Sequence, residues 1–256
     1  MLMLISPAKK LNMTPFDSGF PAQTPELLNQ SQILINILRD KDAFALAELM
    51  KLSMPLADLN SQRFQDWHIP FDASNAKQAL WAFQGDVYQS LDVASLSTDD
   101  IHFAQQHLRI LSGLYGLLRP LDWIQAYRLE MGTRLENPRG KDLYTFWGNM
   151  ISAAIQAALE QQGDDILINL ASQEYFKAVR SKFLHARIIT PIFKEWKNGQ
   201  YKVIGIHAKR ARGWMSRFII QHQLHTADEL KAFNLQGYQW NECLSTSQQM
   251  VFTRHQ

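Results

Sequence analysis

The chain has 256 residues, of which 46% are hydrophobic and 20% are charged, a composition typical of globular proteins and unlike that of disordered ones. Its net charge of +2 does not by itself favour nucleic acid as a partner, and its single cysteine, Cys243, excludes an intrachain disulfide. No run approaches 18 apolar residues, so the sequence predicts no membrane span and a cytoplasmic protein.

The first part of the chain is predicted to contain one buried strand followed mainly by helices. The apolar run Leu2–Ser6 ends at a Ser-Pro step and predicts the strand. Segment 25–40 predicts the clearest helix, because Thr24 can cap it, Pro25 fits its first position, and leucine and isoleucine recur at helical spacing. The helical period continues in three more segments: 42–52, 55–67 and 74–83.

The rest of the chain alternates strands with helices. Segment 107–123 reads as a strand that enters a glycine-bounded turn or short helix, and it is followed by a predicted helix over 142–162 and a strand over 165–172. Asn198-Gly199 separates two β-rich runs and predicts a hairpin, which precedes a helix over 209–223 and short strands at the end. This order predicts the α+β class with a mixed sheet and one domain over 1–256, with a helical subdomain near 25–80.

Positive charge is concentrated in one part of the sequence. Segment 177–217 contains eleven Lys or Arg residues and one acidic residue, Glu195, so it carries +10 while the remainder carries −8. Such asymmetry can concentrate positive potential on one surface and attract a polyanion.

The helix predicted over 209–223 contains four of these cations. On a helical wheel, one arc carries Lys209, Arg210, Arg212 and Arg217 with Gly213 and Ser216 among them, and the opposite arc carries large apolar side chains that would face the core. The basic arc can be an ordinary solvated face or a surface that contacts an anion. A glycine within it would allow a backbone or a phosphate to approach closely.

Four other residues are candidates for anion contacts. Gly113 and Gly116 can form a tight turn that exposes backbone N–H groups to a phosphate, although a plain turn fits the same pattern. Arg128 alternates with Glu130 and can be held by that carboxylate while facing an anion. Lys9 follows the first strand, where polar groups can form the rim of a pocket.

Seven motifs in series resemble one family of bacterial proteins, the YaaA family. They are SPAK, GDVY, LSGLYG with LRPLD, YRLEMG, GKDLYTFW, NLASQEYF and KRARGWMSRF, and they extend over essentially the whole chain. Two positions depart from many members: Lys10 stands where threonine is common, and Gln84 stands where lysine is common. The second difference removes one charge from any anion-binding surface around Asp86.

The resemblance implies a cytoplasmic protein that contributes to peroxide resistance and limits damage by unincorporated iron. It also implies an unusual α/β fold with a positively charged cleft, a helix-hairpin-helix-like element and binding of double-stranded DNA. The helix-hairpin-helix-like element falls on Leu111 to Leu118, with Gly113 and Gly116. We assign the cleft to eight cations: Lys9, Arg119, Arg128, Lys177, Lys209, Arg210, Arg212 and Arg217.

An enzyme acting on a small anionic, nucleotide-like substrate in the same cleft is the alternative. Polar residues follow several apolar runs, and strand ends that converge would form an active site, with Lys9 or Tyr115 as the acid or base. Direct iron binding has little support, because no cluster of His, Cys or carboxylate residues stands out. The sequence therefore predicts no metal ion and no cofactor.

Overall fold

The computed structural model describes residues 1–255, and its centre is a mixed β-sheet. In chain order the strands are β1 (Leu2–Ile5), β2 (Lys10–Leu11), β3 (Lys77–Gln78), β4 (Phe83–Gln84), β5 (Leu108–Ser112), β6 (Gly116–Leu118), β7 (Trp123–Ile124), β8 (Ile166–Leu170), β9 (Arg187–Lys197), β10 (Gln200–Lys202), β11 (Gln239–Trp240) and β12 (Gln249–Arg254). The large sheet has the order β11–β12–β9–β8–β1–β5–β6, and β10 pairs with β9. Strands β2 and β4, and strands β3 and β7, form two small separate pairs.

The middle of the large sheet is parallel. Strand β1 pairs in parallel with β5 on one side and β8 on the other, and β9 is parallel to both β8 and β12. Every residue of β1 and β5 is buried, as expected for apolar strands covered on both faces. Antiparallel pairs lie further out, at β6, β10 and β11, so the predicted α+β class with a mixed sheet is confirmed.

Helices occupy the connections between strands. They are α1 (Leu28–Arg39), α2 (Ala43–Met50), α3 (Met54–Asp66), α4 (Ala79–Ala82), α5 (Asp86–Leu91), α6 (Thr98–His107), α7 (Leu143–Trp147), α8 (Met150–Gln162), α9 (Gln173–Phe176) and α10 (Gly205–Gln221). One cluster of buried side chains joins α1 and α3 to the sheet, and it includes Leu34, Phe64, Ile5, Ile168 and Phe252. No helix within residues 1–255 is long and apolar enough to cross a membrane.

Several local predictions are confirmed, and others are corrected. Asn198 and Gly199 have φ values of 52° and 77° and connect β9 to β10, as the predicted hairpin requires. The helix predicted over 142–162 is interrupted at Gly148, whose φ of 51° separates α7 from α8. Segment 74–83 contains only the single turn α4, because its residues on either side pair as β3 and β4.

Candidate functional site

Two serines meet where the parallel strands β1 and β8 end, an edge of the sheet that we call the carboxyl edge. Ile5 pairs with Leu170, so Ser6 and Ser172 leave their strands side by side. Ser6 Oγ accepts a hydrogen bond from the Ser172 backbone N–H at 2.8 Å, and the two Oγ atoms are 3.3 Å apart. Strand β5, the next parallel strand in chain order, pairs with β1 on the side opposite β8. This change of side is a topological switch point, and in many α/β sheets such a point opens a ligand-binding crevice.

Residues of the first turn of helix α5 anchor it to this edge. The Tyr88 hydroxyl donates to the Ser6 carbonyl oxygen at 3.0 Å, and burial raises the pKa of Tyr88, so the phenol stays neutral and serves as a donor. Asp86, in the first turn of α5, lies 3.5 Å from Arg210 Nε on α10. These contacts bring the amino-terminal half of α10 next to the carboxyl edge.

Two of the predicted cations share one carboxylate beside the same edge. Lys9 Nζ lies 2.9 Å from Glu130 Oε1, and Arg128 Nη2 donates to that oxygen at 3.1 Å. Arg128 Nε is buried and has no hydrogen-bond partner within the described residues. One positive charge of this group is therefore left without a balancing negative charge.

The wheel prediction for α10 is corrected, because the helix is buried on more than one side. Met215 and Phe218 are buried as expected, but Gly213 and Ser216, predicted for the open basic arc, are buried as well. A Cβ atom at Gly213 would overlap the Val87 carbonyl oxygen and approach Ser90 Cβ to 2.7 Å. Gly213 therefore permits close packing of α10 on α5 and does not face an incoming phosphate.

Among the predicted arginines, Arg212 is the one whose guanidinium has no partner within residues 1–255. Its guanidinium makes no hydrogen bond or ion pair to any residue in 1–255, and the side chain is partly buried. Burial lowers its pKa, with no carboxylate to oppose that effect. An anion that approached this guanidinium would supply the missing negative charge.

Lys209 and Arg217 lie on the same helix but have different surroundings. Lys209 is exposed to solvent. Arg217 Nη1 donates to the carbonyl oxygens of Leu91 and Asp92 at 2.9 and 3.0 Å, and it lies 3.8 Å from Asp92 Oδ2. Arg217 thus satisfies the carbonyl groups at the end of α5, which is a structural contact.

Lys177 lies beyond α9, among residues of two motifs that the sequence prediction left out of the site. Its Nζ atom lies 4.6 Å from the centre of the Tyr144 ring, and the Tyr144 hydroxyl donates to the Glu174 carbonyl oxygen at 3.0 Å. The Glu174 side chain accepts from the Gly132 backbone N–H at 2.9 Å. The signal that could have identified Tyr144 and Glu174 is their position in the GKDLYTFW and NLASQEYF motifs.

Arg119 is not brought together with the other predicted cations. It follows β6, which runs antiparallel to β5, so it lies at the opposite edge, where the parallel strands begin and which we call the amino edge. Its guanidinium lies 2.9 Å from Asp122 Oδ1, 3.3 Å from Glu26 Oε1 and 2.9 Å from the Thr24 carbonyl oxygen. This arginine is fully paired.

The segment predicted as a helix-hairpin-helix-like element is corrected to a β-hairpin. Leu111–Leu118 comprises the end of β5, a three-residue turn and β6, with Ser112 opposite Gly116. Gly113 and Gly116 are both buried, with Leu129 and Trp147 respectively occupying the space that a Cβ would need. Their backbone groups therefore face the protein interior, which explains the small residues by packing.

Tyr115, a candidate acid or base, is fully buried in the same hairpin. Its hydroxyl oxygen accepts from Trp67 Nε1 at 3.1 Å and from the Gln125 backbone N–H at 3.0 Å, and burial raises its pKa. Lys9, the other candidate, has a side chain that is 63% exposed and lies at the carboxyl edge. The structure therefore gives these two candidates separate environments.

The carboxyl edge and α10 thus present hydroxyl groups, a shared Lys–Glu–Arg cluster and one unpaired guanidinium, which are groups that bind oxyanions. Within residues 1–255, no group of three or more His, Cys, Asp or Glu side chains is arranged to hold a metal ion. These groups suit the binding of an anion, and Lys9 is the exposed candidate among them for an acid or base.

Comparison with known proteins shows similarity over the full length of the chain. The family model described as peroxide stress protein YaaA matches residues 1–244. A UPF0246 protein of Ralstonia pickettii is 52% identical over 254 residues, one of Psychromonas ingrahamii is 55% identical over 255, and one of Colwellia psychrerythraea is 53% identical over 257, each covering 99% of both chains. The chain therefore belongs to the YaaA family of peroxide stress proteins, which includes these UPF0246 proteins.

Proposed function

We propose that this protein acts in the cytoplasm in the response to peroxide, binds double-stranded DNA through the cations beside the carboxyl edge, and helps to limit damage from unincorporated iron. The observation that carries the DNA-binding part is the partly buried Arg212 guanidinium, which has no anionic partner within the described residues. A guanidinium is a strong ligand for phosphate, because its planar N–H groups match two phosphate oxygens.

The neighbouring groups support a phosphate partner. Arg210 and Lys209 are exposed on α10, and the Arg128–Lys9 pair has only Glu130 to balance it among residues 1–255. Contacts of this kind depend on phosphate charge and not on base identity, so the resulting affinity is largely independent of sequence and falls steeply with salt.

The test is a titration of a fluorescein-labelled duplex with the full-length protein at two salt concentrations. Arg212→Gln is expected to weaken binding roughly tenfold, because a hydrogen bond to a charged group contributes about 1.5 kcal/mol or more. Its plot of log affinity against log salt is expected to lose about 0.9 of slope for the lost phosphate contact.

Lys41→Gln is the matched control, because Lys41 lies in the turn between α1 and α2, away from the segments at the carboxyl edge. Its affinity should equal that of the unmodified protein. Absence of duplex binding at low salt, or an affinity that does not change with salt, would contradict the proposal. In cells lacking the native protein, Arg212→Gln should also restore less peroxide survival than Lys41→Gln.

An enzyme acting on a small anionic substrate at the same edge is the second candidate. The contact that favours it is between Ser6 and Ser172, two hydroxyl-bearing residues at adjacent parallel strand ends, the usual place for a substrate in α/β sheets. Lys9 is the candidate acid or base, since it is exposed and adjoins this edge.

Incubation with nucleoside mono-, di- and triphosphates, followed by chromatography, tests the enzymatic alternative. Turnover that disappears in Lys9→Met and persists in Lys41→Gln would support it. Turnover retained by Lys9→Met, or no product with any of these substrates, would count against it.

A further inference from the structure

A second candidate binding site lies outside all seven motifs, between the end of α3 and the small β3–β7 sheet. It is a cavity of about 310 Å³. Its walls come from segment 13–16, residues 63–68 at the end of α3, loop 73–77 and residues 123–126. The volume is at the lower end of the roughly 300–1,000 Å³ of small-molecule sites, which suits one small ligand.

Aromatic side chains form part of the wall. Phe16 and Trp123 both line the cavity, and Phe16 is 56% exposed although it is large and apolar. The Phe16 ring also contacts Trp81 at a centroid distance of 6.1 Å, so Phe16 is held against the protein. An exposed aromatic ring that is fixed in place is a surface on which a planar base can stack.

Two cations in the wall have no carboxylate partner within residues 1–255. Arg63 Nη1 donates to the neutral Asn60 Oδ1 at 3.3 Å, and burial lowers the pKa of Arg63. Lys77 is 7% exposed, its Nζ donates to the Thr14 carbonyl oxygen at 2.9 Å, and burial lowers its pKa as well. Both groups would gain from a phosphate that entered the cavity.

The remaining polar groups are acceptors or are already bonded. Asp66 Oδ1 accepts from Gln62 Nε2 at 2.7 Å, which leaves oxygen lone pairs for an exocyclic amine. The His68 ring lies 2.7 Å from the Asp66 carbonyl oxygen and 3.2 Å from Asn75 Nδ2. Both ring nitrogens of His68 are therefore engaged by neighbouring polar groups.

We propose that this cavity binds a purine nucleoside monophosphate, with the base against Phe16 and Trp123 and the phosphate at Arg63 and Lys77. Aromatic walls alone would suit any flat apolar molecule, and two cations alone would suit any anion. The two features occur together within a space for one nucleotide, and Asp66 adds an acceptor for an amino group on the base. The residues that line this cavity are different from the cations of the DNA-binding surface proposed above.

Isothermal titration calorimetry of the full-length protein with AMP, adenosine and inorganic phosphate tests the proposal. AMP should bind with a dissociation constant below about 1 mM, and adenosine and phosphate should each bind at least tenfold more weakly, because each retains only part of the contacts. Phe16→Ala should weaken AMP binding about tenfold or more through loss of stacking. Arg63→Met should weaken it by a similar factor, with adenosine binding unchanged.

Phe44→Ala is the control for exposed aromatic side chains, because Phe44 on α2 is 71% exposed and does not line the cavity. It should bind AMP like the unmodified protein. The proposal would be overturned if inorganic phosphate or adenosine bound as tightly as AMP. It would also be overturned if Phe16→Ala and Phe44→Ala had equal affinities for AMP, or if no AMP binding were detected at about 1 mM. Thermal unfolding of each variant separates lost binding from lost folding, and duplex titration of Phe16→Ala should be unchanged whichever way the AMP result falls.

Discussion

The two edges of the parallel sheet both carry arginines, but the edges use them differently. At the amino edge Arg119 is paired with Asp122 and Glu26, and Arg109 Nη1 donates to three backbone carbonyl oxygens, of Gln105, Gln106 and Leu108. Burial lowers the pKa of Arg109 to about 10, yet the group remains charged at neutral pH. These arginines hold segments of the protein together.

At the carboxyl edge the cationic side chains outnumber the carboxylates that pair with them. Lys9 and Arg128 share the single oxygen Glu130 Oε1, and Arg212 on the adjacent helix has no partner within the described residues. Residue type alone does not distinguish the two cases, since both edges involve arginines. The number of acceptors within reach of each guanidinium distinguishes a structural arginine from one that can bind an anion.

The position of Arg212 depends on the packing of α10 against α5. Substitution of Gly213, which lies at this contact, should have the largest effect on stability. In Gly213→Ala the new Cβ would overlap the Val87 carbonyl oxygen at the crossing of α5 and α10. We expect the free energy of unfolding to fall by about 3 kcal/mol or more, because backbone must move to relieve the overlap. Urea unfolding followed by circular dichroism measures the change.

Gly205→Ala is the control, because Gly205 opens the same helix and a Cβ atom there would have no atom of another described segment within 4 Å. This variant should change the free energy of unfolding by less than about 1 kcal/mol. Equal urea midpoints for the two variants would show that α10 does not pack on α5 as described.

Removal of Arg119 is expected to have the next largest effect on stability. Asp122 is 1% exposed, and burial raises its pKa to about 6 even with Arg119 in contact. Arg119→Met would leave this carboxylate without its cation and should cost about 3 kcal/mol at pH 7. Thermal or urea unfolding at several pH values measures the loss.

The contribution of Asp122 to the free energy of unfolding should decrease as the pH rises. The pKa of Asp122 is higher in the folded protein than its unfolded value of about 3.9, so ionisation disfavours folding and stability decreases as the pH rises through this window. Below about pH 4 the carboxyl group is protonated and needs no cation, so Arg119→Met should cost much less there. A loss of equal size at pH 4 and pH 7 would rule out the carboxylate as its cause.

The sequence predicted the sheet elements better than the site. The buried strand at Leu2, the strand before Ser172 and the turn at Asn198 are local features, set by apolar runs and turn residues, and the structure contains them. The sequence left open whether Gly113 forms a plain turn and whether Gly213 admits a backbone or a phosphate, because the groups that need a small residue there belong to Leu129 and Val87, which are distant in sequence. Local patterns cannot contain that information.

The arginines of the basic segment 177–217 show the same limit of prediction from local sequence. The basic segment contains Arg212 and Arg217, which differ by five positions and look alike in sequence. Arg217 reaches the carbonyl groups at the end of α5, whereas Arg212 reaches no acceptor in the described chain. Only the tertiary position of α5 separates their roles.

Arg212→Met should have little effect on stability, in contrast to Arg119→Met. The guanidinium of Arg212 loses hydration on folding and gains no partner among residues 1–255, so an apolar side chain of similar length should leave the free energy of unfolding unchanged or raise it by up to about 1 kcal/mol. Urea unfolding of the two variants in parallel measures the difference. A loss for Arg212→Met as large as that for Arg119→Met would show that Arg212 is also structural.

Glu130→Gln should produce the smallest change in stability and a gain in binding. The pair of Lys9 and Glu130 is partly exposed, with side chains 63% and 27% accessible, and such pairs contribute at most about 1 kcal/mol. Removing the shared carboxylate leaves the charges of Lys9 and Arg128 unbalanced, so duplex affinity at low salt should rise a few fold, and the gain should shrink at high salt. Glu160→Gln, which changes the charge by the same amount near the amino edge at the end of α8, should give a smaller gain if the effect is local. Equal gains for both variants would instead indicate that only net charge matters. Unchanged affinity for Glu130→Gln would show that Lys9 and Arg128 do not contact DNA. The role of Arg212 is tested separately, by the titration of Arg212→Gln.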